Sequence, residues 1–527
     1  VSGPRLSVLI VTQNQAHQIG ECLQSVAWAD EIVVVDAFST DGTAEIARRS
    51  GARVVQHRWQ GFAKQRKIAL AQATGDWCLA VDSDERVTPE LREEIEGILR
   101  KGGGGYAGFY VARKSFFLNR WIRHAGWYPG YQLRLFRREL ATVTERNVHE
   151  GFVVNGSVGF LQNPMLHFTQ PTLGVAYDRV NVYTSLEARD RLGRKRVCAR
   201  DFVLHPVSAF LRKYVSQKGF LDGLHGFVLS AISALYNMLL YMKIWELQHR
   251  RELDAAHERL DEDFRAAPPG RRGARVPVSV LIVAKDEEAN IEACLRSARW
   301  AAEIVLVDTG SHDRTLELAR GLADRILRRP WQGYAETKQR ALAETSYEWV
   351  LWLDADERVT PDLAKEIAKV VESPRHAAFA VPRRAYFLGR WIKHAGWYPG
   401  YVARLFRKDR ARFNSALVHE GLEVRGPVGR LNAPLLHITD RDLEHYMRKF
   451  NRYTSLAAEE LDRRGRRFRK RDLFTHPLGI FLRMYVFRAG FLDGVQGLML
   501  ALLSSAYVFA KYAKLWELQQ LKPAENR

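Results

Sequence analysis

The sequence predicts a chain of two α/β units, each built on a mostly parallel sheet, and three observations carry that prediction. The chain repeats itself once: residues 33–43 (VVVDAFSTDGT) return as 305–315 (VLVDTGSHDRT), and 82–89 (DSDERVTP) return as 354–361 (DADERVTP) at the same spacing. Each copy opens with nearly continuous apolar runs of strand length separated by helical stretches, the pattern of strands covered on both faces. The 527 residues, 46% hydrophobic and 27% charged, are globular in composition and too many for one core.

The elements follow in order. The first strand is read at 6–11 (LSVLIV) and 278–283 (VSVLIV), followed by a helical stretch ending near Ala27 or Arg299. Residues 31–35 and 303–307 are the second strand, and a helix begins near Thr43 or Thr315. In the first copy a short strand at 53–56, a helix near 62–73 and a strand at 77–81 complete the series. The repeat continues through HAGWYPGY (124–131 and 394–401), VHEG (148–151 and 418–421) and GFLDG (219–223 and 490–494). The expected organisation is a first unit over 1–250, a charged linker over 251–277 containing PPGRRG at 268–273, and a second unit over 278–527.

Eighty Lys and Arg against sixty Asp and Glu give a net charge of +20, which selects anionic partners: nucleic acid, phospholipid or a phosphorylated substrate. Cys22, Cys78, Cys198 and Cys294 are too scattered for a thiolate zinc cluster or a dense disulfide scaffold, so a reducing compartment is expected. The opening residues run into a strand without the basic start and cleavage site of a signal peptide, and a cytosolic site of action is expected.

In a parallel sheet, ligands sit outside the carboxyl ends of the strands. Asp36 and Asp308 lie at one such end, and Asp82, Asp84, Asp354 and Asp356 at another. An aspartate there also serves as a helix cap or turn former. Two carboxylates one residue apart suit a hard divalent ion, Mg²⁺ or Mn²⁺, on one group and a ribose or sugar hydroxyl on the other, with a diphosphate completing the ligand set. No GxxxxGK[ST] loop is present, which argues against kinase chemistry, and no GxGxxG follows the first strand, which argues against a dinucleotide cofactor.

With these residues assembled, each copy resembles a family 2, GT-A-fold glycosyltransferase, in particular the lipopolysaccharide core glucosyltransferases of the WaaE/KdtX group. The second copy carries the opening SVLIVAKDEEANI at 279–291, then Val307-Asp308, Asp354-Ala355-Asp356 and Val418-His419-Glu420; the first carries Val35-Asp36, Asp82-Ser83-Asp84 and Val148-His149-Glu150. The resemblance implies that Asp36, Asp308 and Glu287 contact the donor nucleotide, that Asp82 and Asp354 help hold the donor, and that Asp84 and Asp356 bind the metal. It implies an acceptor-side base at Glu150 and Glu420 for an inverting displacement, a helix cap or salt bridge being the other reading of those glutamates. It points first to UDP-glucose as donor and to a lipid-linked saccharide, of the lipopolysaccharide inner core, as acceptor. Another cell-surface glycan, or a noncatalytic glycan-binding scaffold, are the rival readings.

His149 and His419 would orient the base or meet a phosphate, and His167 and His437 would approach the metal or diphosphate; packed histidines explain them equally. His124, Trp127 and Tyr128, with His394, Trp397 and Tyr398, offer aromatic faces and an imidazole to acceptor or phosphate, the other reading being a buried turn. The copies differ where the second has Asp286-Glu287-Glu288 and the first Asn14-Gln15-Ala16, so the first is expected to bind a different donor or to bind it more weakly.

Basic stretches at 189–200 and 463–471 precede runs free of Asp, Glu, Lys and Arg at 223–242 and 494–510. A basic patch beside an apolar run fits an anionic membrane surface better than nucleic acid. The runs reach the lower range of a bilayer span, but a single crossing after the first unit would put the two units in opposite compartments. Peripheral or monotopic attachment to the cytoplasmic face of the bacterial inner membrane is the expectation, with amphipathic core helices as the bland alternative.

Overall fold

The computed structural model describes residues 4–144, 151–265, 275–414 and 421–521. They form two compact units, Val1–Ile244 and Trp245–Arg527.

In the first unit, seven described strands form one sheet in the order Val158–Phe160, Gly108–Val111, Gln132–Arg137, Trp77–Ala80, Leu6–Thr12, Glu31–Asp36, Arg53–Gln56. Leu6–Thr12 is central and parallel to both neighbours, as expected for a Val/Ile/Leu run buried on both faces. Val8 and Ile10 pack on one side with Ile19, Cys22 and Leu23 of helix Ala16–Ser25. Leu9, Val33 and Val35 pack on the other with Ala69 and Ala73. The period-two alternation of the strand therefore feeds two separate cores.

The second unit repeats this arrangement around Val276–Ala284, again parallel to both neighbours, with cores on each face. Here Ala378–Phe387 runs unbroken through what are two strands in the first unit, Gly108–Val111 and Arg113–Phe117, and so joins two sheets into one of ten strands.

After the acidic motifs, each unit starts a helix by the same device. Thr88 accepts a hydrogen bond from the Leu91 amide (3.2 Å) with Pro89 in the first turn, and Leu91, Ile95 and Leu99 are buried. Thr360, Pro361, Leu363, Ile367 and Val371 repeat the arrangement. The cap fixes where the sheet ends and hence where the carboxylates stand.

Two regions depart from expectation. Of the expected linker 251–277, the whole first half lies in helix Arg250–Arg265, whose Leu253, His257, Asp261 and Phe264 are buried. Their spacing of three to four residues makes one helical face, which charge-rich composition concealed. The boundaries at 250 and 278 are therefore not those of a free connector. The apolar runs extend into longer helices, Gly223–Gln248 and Gly494–Leu521. Both are long and apolar enough to cross a bilayer, and 61% and 33% of the apolar windows are buried within the molecule. Each is pinned to its own unit by a buried lysine: Lys243 donates to Asn181 O (2.7 Å), Asn181 Oδ1 (2.6 Å) and Ser185 Oγ (2.8 Å), and Lys514 to Asn451 O (2.7 Å), Thr454 Oγ1 (2.9 Å) and Ser455 Oγ (2.8 Å). Cys22, Cys78 and Cys294 are buried free thiols, and Cys198 is exposed.

Candidate active site

The carboxylates stand at the carboxyl ends of the central strands. Thr12 pairs with Asp36 and Ala284 with Asp308, while Val283 pairs with Asp354, so the expected donor-side residues converge on one sheet edge. Asp36 and Asp308 are buried and hold their own loops. Asp36 accepts from the Ser39 amide (3.0 Å), and Asp308 from the amides of Gly310 (3.2 Å) and Ser311 (3.2 Å).

Asp82, Asp84 and Glu85 form a tight turn in which the Glu85 amide donates to Asp82 O (2.8 Å) and the Glu85 carboxylate accepts from the Asp82 amide (2.9 Å). Strand Glu85–Arg86 then pairs antiparallel with Met165–Gln170, Glu85 opposite His167, and the Phe168 amide donates to Asp84 O (2.8 Å). This register brings His167 Nε2 to 3.7 Å from Asp84 Oδ2. In the second unit Glu357 pairs with His437, the Ile438 amide donates to Asp356 O (2.9 Å), and His437 Nε2 lies 3.5 Å from Asp356 Oδ2. The later histidines thus stand beside the second aspartate of each motif.

Neither Arg134 nor Arg404 stands out when the chain is read alone, although each begins a repeated RLFR. Buried Arg134 bridges Asp82 (2.6 Å) and Glu85, and buried Arg404 bridges Asp354 (2.5 Å) and Glu357 (2.6 Å). Arg66 and Lys338 add a second cation at 3.6 and 3.9 Å from Asp82 and Asp354. Burial works to raise the Asp82 and Asp354 carboxyls, but Arg134 with Arg66, and Arg404 with Lys338, pull them well below the usual range. Burial raises Glu85 and Glu357, which sit fully inside. Asp84 is lowered against its burial by His167 and Arg179, and Asp356 by His437 and Lys449.

Hard-cation chemistry fits these residues in part. A carboxylate and an imidazole face one another in each unit, and among the described residues no cluster of three His, Cys, Asp or Glu is found, so Asp84 with His167, or Asp356 with His437, would supply only part of an ion's ligand set. Ser115 Oγ lies 3.0 Å from His167 Nδ1 and orients that ring, while Ala385 occupies the matching pairing position beside His437.

The HAGWYPGY loops adjoin the carboxylates through one arginine each. The Arg113 amide donates to Pro129 O (2.8 Å) and its guanidinium lies 3.8 Å from Glu85; Arg383 does the same with Gly400 O (3.3 Å) and Glu357 (4.0 Å). A Cβ on Gly130 or Gly400 would stand 2.6 Å from Trp127 O or Trp397 O, so the close turn demands glycine. His124 and His394 have carboxylate partners, Asp222 (3.3 Å) and Asp493 (3.0 Å), which also accept the His124 and His394 amides. Their imidazoles anchor the loop. Trp127 and Trp397 are half-buried, and Tyr128 is exposed with its ring edge-on to Trp121, as half-buried Tyr398 is to Trp391. Glu150, Glu420, His149 and His419 lie outside the described residues.

Glu287 is where the units part. Burial and the charge of Asp356 push it up to about 7, and its carboxylate accepts from Asn290 (2.9 Å). Asp440, also against Asp356, is pushed up to about 6 by burial with Lys449 opposing. The first unit has Gln15 and Gln170 in these places.

Two stretches of the chain, residues 7–154 and 279–420, match the model of glycosyl transferase family 2, together more than half its length. The chain belongs to glycosyl transferase family 2. Each match falls within one of the two repeated units. The chain is similar to the lipopolysaccharide core biosynthesis glycosyltransferase LpsC of Rhizobium meliloti, 32% identical over 265 residues that are 48% of this chain and 96% of that protein. An uncharacterized glycosyltransferase of Rickettsia typhi is 26% identical over 46% of this chain and 87% of its own length. Among solved structures, a mannosyltransferase from Pyrobaculum calidifontis in complex with GDP-Man and Mn²⁺ covers 46% of this chain and 88% of its own at 16% identity and a TM-score of 0.29. The S. aureus TarS fragment with UDP-GlcNAc covers 47% and 92% at 16% identity and a TM-score of 0.26. This family 2 chain is therefore a glycosyltransferase in which a module of about LpsC length occurs twice.

Proposed function

We propose that both modules transfer a hexose, glucose from UDP-glucose in the first instance, to a lipid-linked saccharide of the lipopolysaccharide inner core, at the cytoplasmic face of the bacterial inner membrane. The observation that carries this reading is the Asp84–His167 and Asp356–His437 pairing imposed by strand register at the sheet edge. The similarity to LpsC supports the choice of acceptor class.

Asp84 with His167, and Asp356 with His437, would hold Mg²⁺ or Mn²⁺ together with the donor diphosphate. That ion supplies electrostatic stabilisation of the charge that grows on the leaving diphosphate. Arg134 and Arg404 keep Asp82 and Asp354 ionised, so these remain hydrogen-bond acceptors for the donor at any physiological pH. Asp36, Asp308 and Glu287 would border the nucleotide. Tyr128 and Tyr398, with the partly open tryptophans, would receive the acceptor sugar. Glu150 or Glu420 takes the proton of the acceptor hydroxyl while its oxygen attacks the anomeric carbon from the face opposite the nucleoside diphosphate. The new C–O bond forms as the bond to the diphosphate breaks, and the configuration inverts.

Glu150→Gln and Glu420→Gln together should lower transfer by roughly a hundredfold or more while UDP titrated in the presence of Mn²⁺ still binds. Full transfer by the double variant would overturn the base assignment.

A further inference from the structure

Each module carries an exposed apolar face that neither of its cores uses. In the second module, helix Asp472–Phe481 runs on into Leu482–Phe487 and then the turn Gly490–Asp493. Leu478, Leu482 and Val486 recur at every fourth position on its outer side, Phe487 is 79% exposed, and the turn adds Phe491 and Leu492, also exposed. The inner side is buried through Leu473, Pro477 and Met484. The first module presents the same outer side at Val207, Leu211, Val215, Phe220 and Leu221. A contiguous apolar strip of this kind in a water-soluble enzyme marks an interaction surface.

Charge selects the occupant. Exposed Arg467, Lys470 and Arg471 lead into the strip of the second module, and exposed Arg483 and Arg488 lie along it; exposed Arg212 and Lys218 do so in the first. Apolar side chains bordered by arginine and lysine match an anionic lipid surface, where the former enter the acyl boundary and the latter meet head groups.

The strip is also fixed to the acceptor loop. Asp493, at the end of the exposed turn, accepts the Lys393 (3.1 Å) and His394 (2.9 Å) amides, and the Ala395 amide donates to Arg488 O (2.9 Å). In the first module Asp222 accepts the Arg123 (3.2 Å) and His124 (2.8 Å) amides, and the Ala125 amide donates to Gln217 O (2.8 Å). The turn sits directly on the long helix behind it: a Cβ on Gly226 or Gly497 would stand 1.9 or 2.0 Å from Gly219 O or Gly490 O.

We infer that Leu478–Leu492 in the second module and Val207–Leu221 in the first are monotopic docking elements that insert their outer side chains into an anionic bilayer and so hold each HAGWYPGY loop at the membrane surface, the long apolar helices acting as struts rather than spans. This rests on the membrane location proposed above and not on the donor or acceptor sugar.

The test is flotation of the full chain with vesicles of phosphatidylcholine alone and of phosphatidylcholine with phosphatidylglycerol, at low and high salt. The expected result is flotation with the anionic vesicles, weakened by salt. Val207→Glu, Leu211→Glu, Leu478→Glu and Phe487→Glu combined should weaken it on the order of a hundredfold. These side chains are exposed, so the melting temperature should stay put. As a second readout, with the rest of the face kept, Phe487→Cys in a Cys198→Ser background, carrying a fluorophore, should be quenched by acyl-chain-brominated lipid. Undiminished flotation by the fourfold variant, with the label unquenched, would overturn the docking element while leaving membrane attachment standing. Failure of the unaltered chain to float would overturn both, yet leave UDP binding and transfer to be judged separately. Self-association in solution that the fourfold variant abolishes, with vesicle binding unaffected, would assign the strip to a second copy and overturn the inference.

Discussion

The two candidate sites share a frame and differ in the shell around it. Both have an aspartate pair in a tight turn, an arginine bridging the first aspartate and the following glutamate, and a histidine brought to the second aspartate by an antiparallel pairing. Around Asp84 the neighbours are Arg179 and a serine-oriented His167, and the positions that match Glu287 and Asp440 are the amides Gln15 and Gln170. Around Asp356 they are Lys449, the raised carboxyls Glu287 and Asp440, and an Ala385 where the serine was. Lys338 and Arg404 also lie over the Trp352 ring at 4.0 and 4.1 Å, where the first unit has Ala80. A constant frame inside a changed shell supports the proposal of two working modules that differ in donor or acceptor.

The largest effect should come from the frame. Asp356→Asn should reduce transfer at the second site on the order of a thousandfold and remove its UDP binding in the presence of Mn²⁺, and Asp84→Asn should do the same at the first. Calorimetric titration of the two single variants gives the comparison directly. One remaining site in each variant supports two working modules; an Asp84→Asn protein that binds and transfers as before would reduce the first module to a scaffold.

Next in size is the arginine bridge. Arg404→Met removes the nearer cation of the fully buried Glu357 and of Asp354, leaving Arg383 at 4.0 Å and Lys338 at 3.9 Å, and should cost about 3 kcal/mol of stability, as Arg134→Met should in the first unit. Thermal melting of both variants checks it. Unequal losses would show that the frame is less uniform than its geometry.

Much of this was legible in the sequence, and the limits are physical. Strands such as Leu6–Thr12 and Glu31–Asp36 announce themselves because burial on both faces leaves a run of Val, Ile and Leu with no room for another pattern. The two aspartate motifs stand out because each follows such a run and recurs in the second copy. Arg134 and Arg404 were not legible: their partners lie some fifty residues away and meet them only across the sheet. His124 and His394 read as ligand contacts, but the sequence gives no sign that the Asp of a later GFLDG engages them. The same holds for helix Arg250–Arg265, where Asp261 pairs with Arg358 (3.2 Å) and Arg441 (3.0 Å). In the first unit Arg86, at the matching place, turns to Glu21 (3.3 Å) instead.

The shell should give smaller and unequal effects. Glu287→Gln makes the second site resemble the first, and donor affinity there should fall about tenfold, the scale of one charge-assisted contact. Gln15→Glu should move the first site the opposite way. Nucleoside diphosphate titrations over a panel of bases check both; parallel responses of the two modules would break the distinction drawn from the shell.

The smallest expected effect tests a feature the units share, away from the site. Glu31 accepts from Ser7 (2.5 Å) and the Thr74 amide (2.9 Å) and meets Arg53 (2.7 Å); Glu303 does likewise with Ser279, the Ser346 amide and Arg325. Burial opposes the charge on Glu31, but these donors lower its carboxyl to about 2 from an ordinary value near 4.5, and Glu303 is lowered for the same reasons. A carboxyl lowered on folding stabilises the protein above its unfolded pKa, and that contribution fades as pH falls from about 4.5 towards 2. Glu31→Gln should therefore cost about 1 kcal/mol at neutral pH, after allowing for solvent screening, and the variant and parent melting curves should converge on acidification. A gap that stays constant down to the acid limit would mean that the Ser7–Glu31–Thr74 link holds the sheet through packing and neutral hydrogen bonds, and that its charge contributes nothing in either unit.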